Sequence, residues 1–251
     1  MVSVFVSLGV GLVVFAGVAL WVGALAAILP AVISSGITFF VIARKIGKTV
    51  QVQMEGIVPM LERRDVKGAK AHLRGVQKQW GRWQPFLGGQ IEMQLGMIDY
   101  IQRKWDAALP QLEKGSFRNW TALLCIGAIH WRKKDKSKAI EYFKKAESAS
   151  KKEPMVYTVW SVLLTRDGKR DDALAVLSRG RKQLPDNGVL KGVHDRIRNK
   201  KKIDVSKLPQ NWYQFFPEEM SQQHRMRGRN GPYPGANFPQ PKVNRQQRRG
   251  R

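Results

Sequence analysis

From residue 2 to residue 43 the chain carries no charged side chain. From residue 44 the pattern changes: apolar positions recur three and four apart, broken by short polar turns. That spacing keeps apolar residues on one face of a helix and predicts an all-α chain. The periodicity fades at about residue 203, after which polar, proline and arginine residues dominate. Four segments follow: a hairpin over 1–43, a linker with a degenerate first unit over 44–88, helical units with a C-terminal cap over 89–202, and a tail over 203–251.

As one helix, residues 2–43 would be about 63 Å long, against a hydrocarbon core of about 30 Å. Two spans therefore fit better than one. The turn falls at Trp21, Val22 and Gly23, where Trp suits the membrane interface and Gly tolerates a sharp bend. A turn at Pro30 would leave a second leg too short to cross, so Pro30 belongs inside the second helix. Ala19, Gly23, Ala27, Ala31 and Ser35 form a row of small residues, and Gly9, Gly11 and Gly17 add others on the first leg. Such rows let membrane helices approach closely. A cleaved signal peptide fits poorly, because the run is too long and no basic residues precede it. Arg44, Lys45 and Lys48 follow the second leg, and the positive-inside rule places them in the cytoplasm.

The middle of the chain repeats itself. "QRKWDAALPQLEKGS", "KDKSKAIEYFKKAES" and "DGKRDDALAVLSRGR" each place an alanine four residues before a large apolar residue and seven before Ala or Gly. The sets are Ala108, Leu112, Gly115; Ala139, Phe143, Ala146; and Ala173, Leu177, Gly180. Upstream of each lies a further helical segment, so each unit reads as helix, polar turn, helix. The segment 186–199, with Val189, Leu190, Val193 and Ile197 on one side, reads as a closing helix. Trp80, Trp83 and Phe86 mark a segment suited to capping the other end.

This array resembles the tetratricopeptide repeat, whose period is about 34 residues and whose pattern runs W-x2-L-G-x2-Y…A-x3-F…P. The unit at 120–153 matches with Gly127, Ala139 and Phe143, and the next keeps Ala173 and Pro185 but has Ser161 for the glycine. The unit from 89 has Leu95, Gly96 and Ala108, and "LERRDVKGAKAHLRG" offers Ala69 and Leu73 as a degenerate copy. None of the three better units has the first Trp of the pattern at its matching position. The resemblance implies a concave surface lined by the first helix of each unit. By register its candidates are Met93, Gln94, Met97, Tyr100, Leu124, Ala128, Trp131, Arg132, Thr158, Val162 and Arg166. This mixture would suit an amphipathic or extended peptide with acidic ends. The Lys and Asn set by which some members of that family clamp a terminal carboxylate is not recognisable here.

The chain has 44 Lys and Arg against 19 Asp and Glu, a net charge of +25. That balance favours polyanionic partners: nucleic acid, ribosome or anionic lipid. Cys125 is the single cysteine, so an intramolecular disulfide and a multi-cysteine zinc site are excluded. His72, His130, His194 and His224 form no metal-ligand spacing, and His130 takes a packing position in its unit. The serine of "EKGSFRNW" lacks a nucleophile elbow, and "FLGGQ" lacks a phosphate-loop lysine. The adjacent acids Asp171-Asp172 and Glu218-Glu219 read as solvated surface or helix N-terminal charges. The expectation is a protein without enzymatic chemistry and without a cofactor.

In the tail, Trp212, Tyr213, Phe215 and Phe216 form an aromatic cluster, with docking back onto the repeats as the first expectation. Beyond it, Arg225, Arg227, Arg229, Lys242, Arg245, Arg248, Arg249 and Arg251 occur with no acid, among four glycines and four prolines. Such a segment is expected to be disordered and to attract phosphate, whether of anionic lipid, RNA or ribosome. The whole order suggests an integral protein of a bacterial inner membrane, its repeats and tail cytoplasmic, holding a protein or peptide partner in the repeat groove. The alternatives are a tether for nucleic acid or ribosomes through the tail, and a subunit of a membrane machine.

Overall fold

The computed structural model describes residues 2–83 and 86–220. The described residues are helical without strands, and they fall into two compact units that divide between Leu95 and Gly96.

The first unit begins with α1 (Val2–Val22) and α2 (Ala24–Glu55), both long and apolar enough to cross a membrane by length and composition. Gly23 joins them at φ +98°, a backbone that an L side chain rarely adopts. The helices pack antiparallel through small residues: a Cβ on Gly11 would lie 3.1 Å from the Ala31 carbonyl oxygen and 3.1 Å from Ser35 Cβ. Outward faces are apolar, with Leu20, Trp21 and Leu25 all more than 85% exposed. In water such a surface would be unfavourable; in lipid it needs no cover. Pro30 lies within α2.

The charge boundary at Arg44 is not a helix boundary. α2 runs twelve residues past Ala43, and its apolar positions Ile46 and Val50 are buried. They pack with α3 (Ile57–Glu62) and α4 (Val66–Trp80), whose buried positions are Ile57, Leu61, Ala69, Leu73 and Val76. His72 Nε2 meets the Gln53 carbonyl at 2.8 Å. The turn after α4 does something the sequence did not suggest. The Arg82 and Trp83 carbonyls accept from the N–H groups of Val2 and Ser3, at 2.9 and 3.3 Å, and Trp83 also accepts from the Ser3 hydroxyl. They satisfy donors that a helix start leaves open. Phe86, expected in a cap for the repeats, is 71% exposed.

Helix α5 (Leu87–Ile101) crosses the division. The second unit continues with α6 (Trp105–Gly115), α7 (Trp120–Arg132), α8 (Lys136–Ala149), α9 (Pro154–Arg166), α10 (Arg170–Gln183) and α11 (Gly188–Arg198). Helices pair in order, and in each pair a small residue admits a large one. A Cβ on Gly96 would come within 2.9 Å of Leu112, and one on Gly127 within 2.5 Å of the Phe143 ring. Ala108, Ala139 and Ala173 have no exposed surface.

The same backbone turn recurs across both units. Arg64, Arg103, Lys134 and Gly168 all have positive φ, and each lies five residues before one of Ala69, Ala108, Ala139 and Ala173. At each turn the next residue's N–H reaches back five positions: Asp65 to Met60, Lys104 to Asp99, Asp135 to His130 and Lys169 to Leu164, all 2.9–3.0 Å. This is the Schellman closure, which satisfies the last carbonyls of a helix. Asp65 and Asp135 then cap the next helix, accepting from the N–H groups of Gly68 and Lys138.

Candidate functional site

The second unit exposes little of the face on which the groove candidates were expected. Tyr100, Leu124, Thr158 and Val162 have no exposed surface, Ala128 has 1%, and Met97 and Trp131 have less than a tenth. In the first unit, Met93 is buried and Gln94 half-buried. Part of this burial is ordinary packing: Trp131 lies against Phe143 at 6.2 Å with Lys136 Nζ 3.5 Å above its ring. Residues 208–220 also lie on this face, where they bond to Tyr100, Arg132 and Arg166. As expected of its aromatic cluster, this segment docks back: it forms a strap with a single turn of helix, α12 (Trp212–Phe215), and a 3-10 turn at Pro217–Glu219. α12 packs against α7 and α9.

Four aromatic side chains bind the strap. Trp212 and Phe215 have no exposed surface, Phe216 has 3% and Tyr213 has 7%. Trp212 stacks on Phe216 at 4.4 Å, and Phe215 tilts against Trp120 at 6.2 Å.

Arg132 organises the polar contacts. Its guanidinium lies 4.4 Å from the Trp105 ring, 5.0 Å from Phe216 and 5.6 Å from Tyr100, an aromatic box suited to a cation. It donates to the Tyr100 hydroxyl at 2.9 Å, to the Phe215 carbonyl at 2.8 Å and to Glu218 at 2.7 Å. Burial alone would lower its pKa; Tyr100 and Glu218 outweigh that and hold it above its ordinary value. The Tyr100 hydroxyl donates in turn to Phe215 at 2.7 Å. Burial pushes that phenol far above its usual range against the pull of Arg132, so it stays a neutral donor.

Arg166, at the end of α9, repeats the theme. It grips Glu219 with two nitrogens at 2.6 and 3.1 Å and lies 5.7 Å from both Trp212 and Phe216. Glu219 also accepts from Trp212 Nε1 at 3.0 Å. Arg103 donates to the Pro217 carbonyl at 3.2 Å. The acids Glu218 and Glu219 are therefore not free surface charges, as their adjacency suggested. They pair with cations at the ends of α7 and α9, and their sequence neighbours gave no local sign of it.

Cys125 is buried, its thiol 3.6 Å from the Met97 sulfur, and burial pushes its pKa well above the ordinary value. His130 stacks on Tyr142 at 5.6 Å and faces Asp135. Among the described residues, His, Cys, Asp and Glu form no cluster able to hold a metal ion. The tail candidates Arg225, Arg227, Arg229, Lys242, Arg245, Arg248, Arg249 and Arg251 lie outside the described residues. No family model matches the chain, and no curated protein matches it.

Proposed function

We propose that this chain is a membrane-anchored scaffold of tetratricopeptide-like repeats, whose α5–α7–α9 face holds a protein partner at the cytoplasmic side of a bacterial inner membrane. The observation that carries this reading is the pair Arg132 and Arg166. They lie 34 residues apart, one repeat period, and each binds one of two adjacent carboxylates beside buried aromatic rings. A face made only to be filled with apolar packing has no need of two spaced cations, because burying charge costs free energy unless it is paired. Two apolar helices support the anchor, and Arg44, Lys45 and Lys48 at the end of the uncharged run support the cytoplasmic orientation. The basic stretch of α4, with Lys67, Arg74 and Lys78 exposed, belongs to the same unit and would favour an anionic lipid surface.

The test is a crosslinking pull-down from membranes with the full chain, a chain ending at residue 220, and Arg132→Ala/Arg166→Ala. A protein partner retained by the shortened chain and lost from the double variant agrees with the scaffold. Recovery of RNA alone, sensitive to salt and lost with the tail, would replace it with the tether.

A further inference from the structure

We propose that residues 208–220 are a displaceable resident of the α5–α7–α9 face, and that the partner admitted in their place is a peptide segment of the same chemistry: paired aromatic residues followed by adjacent carboxylates. The proposal deepens the scaffold reading and rests on it.

The strap has little order of its own. Its longest element is the four-residue α12, and a helix of that length does not persist in water without support. Its conformation depends on what the face supplies: the Trp120 ring, the Tyr100 hydroxyl, and the guanidinium groups of Arg132 and Arg166. Segments held this way open as local units rather than with the whole fold. The chain leading to the strap begins at Lys200, with positive φ, and Lys200, Lys201 and Lys202 are exposed. That stretch places few buried contacts in the way of release.

The face in turn demands an occupant. Without the strap, Tyr100 loses its acceptor, Arg132 loses the Phe215 carbonyl and Glu218, and Arg166 loses both of its bonds to Glu219. Water can hydrate the cations, but the aromatic walls would remain uncovered. The lowest-cost replacement supplies what was removed: rings for the box, a carbonyl for Tyr100, and carboxylates at a spacing that meets Arg132 and Arg166 together. The strap therefore records the specificity of the face. It also sets a threshold, because a partner must exceed an attached competitor at high effective concentration.

The experiment uses the full chain in lipid nanodiscs and a fluorescent synthetic peptide of the sequence LPQNWYQFFPEEM. The wild type is compared with Glu218→Lys/Glu219→Lys, which weakens the strap and leaves the face unchanged. Peptide affinity at least tenfold higher for the variant is expected, and a peptide with both glutamates replaced by glutamine should bind at least tenfold more weakly. Equal or absent binding in a variant of native helicity overturns the proposal, and so does loss of helicity, which would make the strap part of the core. A second readout is hydrogen exchange in the wild type: strap amides should exchange well before those of α7 and α9, and simultaneous exchange overturns the proposal. A partner that crosslinks in membranes while the peptide shows no preference would leave the scaffold standing and remove only the displaceable strap.

Discussion

Arg132 and Glu218 meet across 86 positions of sequence, with Nε and Nη2 of the arginine both donating to one carboxylate oxygen, at 3.0 and 2.7 Å. The side chain of Arg132 is 19% exposed and that of Arg166 is 42% exposed. The two arginines should therefore differ in their weight. Arg132→Ala is expected to cost about 2 kcal/mol, from lost charge-assisted bonds and an uncovered Tyr100 hydroxyl. Arg166→Ala should cost no more than about 1 kcal/mol, because its pair with Glu219 is more screened. Urea unfolding of the two variants, read by tryptophan fluorescence, measures the difference; equal losses would contradict the assigned roles.

Glycines divide by what surrounds them. Gly127→Ala would press a methyl group against the Phe143 ring and should destabilise by about 1–3 kcal/mol. Gly192 in α11 has open space around its Cβ position, so Gly192→Ala should be neutral or stabilise by up to about 1 kcal/mol. Thermal melts of both variants check the sign.

The repeated turn offers a gain. Lys134 adopts φ +63°, a conformation that costs an L residue roughly 1–2 kcal/mol. Lys134→Gly relieves that strain but adds freedom to the unfolded chain, roughly 0.4–1 kcal/mol. The expected net is a stabilisation of about 0.5 kcal/mol, visible as a higher denaturant midpoint; a lower midpoint would contradict the turn geometry.

How much of this could be read from the sequence differs by element. The hairpin turn at Gly23 and the alanines at 108, 139 and 173 were legible, because both are local matters of spacing and backbone freedom. The turns before those alanines were harder, since only Gly168 has the residue type that announces positive φ, and Arg64, Arg103 and Lys134 do not. The continuation of α2 to Glu55 was not legible, because the onset of charge at Arg44 marks a change of composition and not a helix end. The face itself was assigned from register, and three of its residues, Tyr100, Arg132 and Arg166, bond to the strap. That the aromatic cluster at 212–216 docks back was legible from its composition, but its partners were not: periodicity reports which side of a helix is apolar, and says nothing of which carboxylate meets which arginine.

Cys125 gives a silent background for chemistry elsewhere. Its thiol is buried and its pKa is pushed up, so the folded chain should not react with thiol reagents at pH 8. The stabilisation linked to the neutral thiol is complete below the pKa of a free thiol and declines as pH rises above it. Reaction should appear with denaturant; rapid labelling of the native chain would show that α7 is not packed as described.

The same silent background tests the proposed orientation. A cysteine introduced as Val22→Cys should label with an impermeant maleimide from outside the cell. Gln51→Cys should label only after permeabilisation. The reverse pattern would invert the hairpin.

The most direct test of the account places a photo-crosslinking phenylalanine at Trp120, which lines the face beside Phe215. In intact membranes the account predicts a discrete adduct with a second protein, its yield raised by Glu218→Lys/Glu219→Lys. A crosslink only to the chain's own strap, unchanged when both glutamates are reversed, would contradict it.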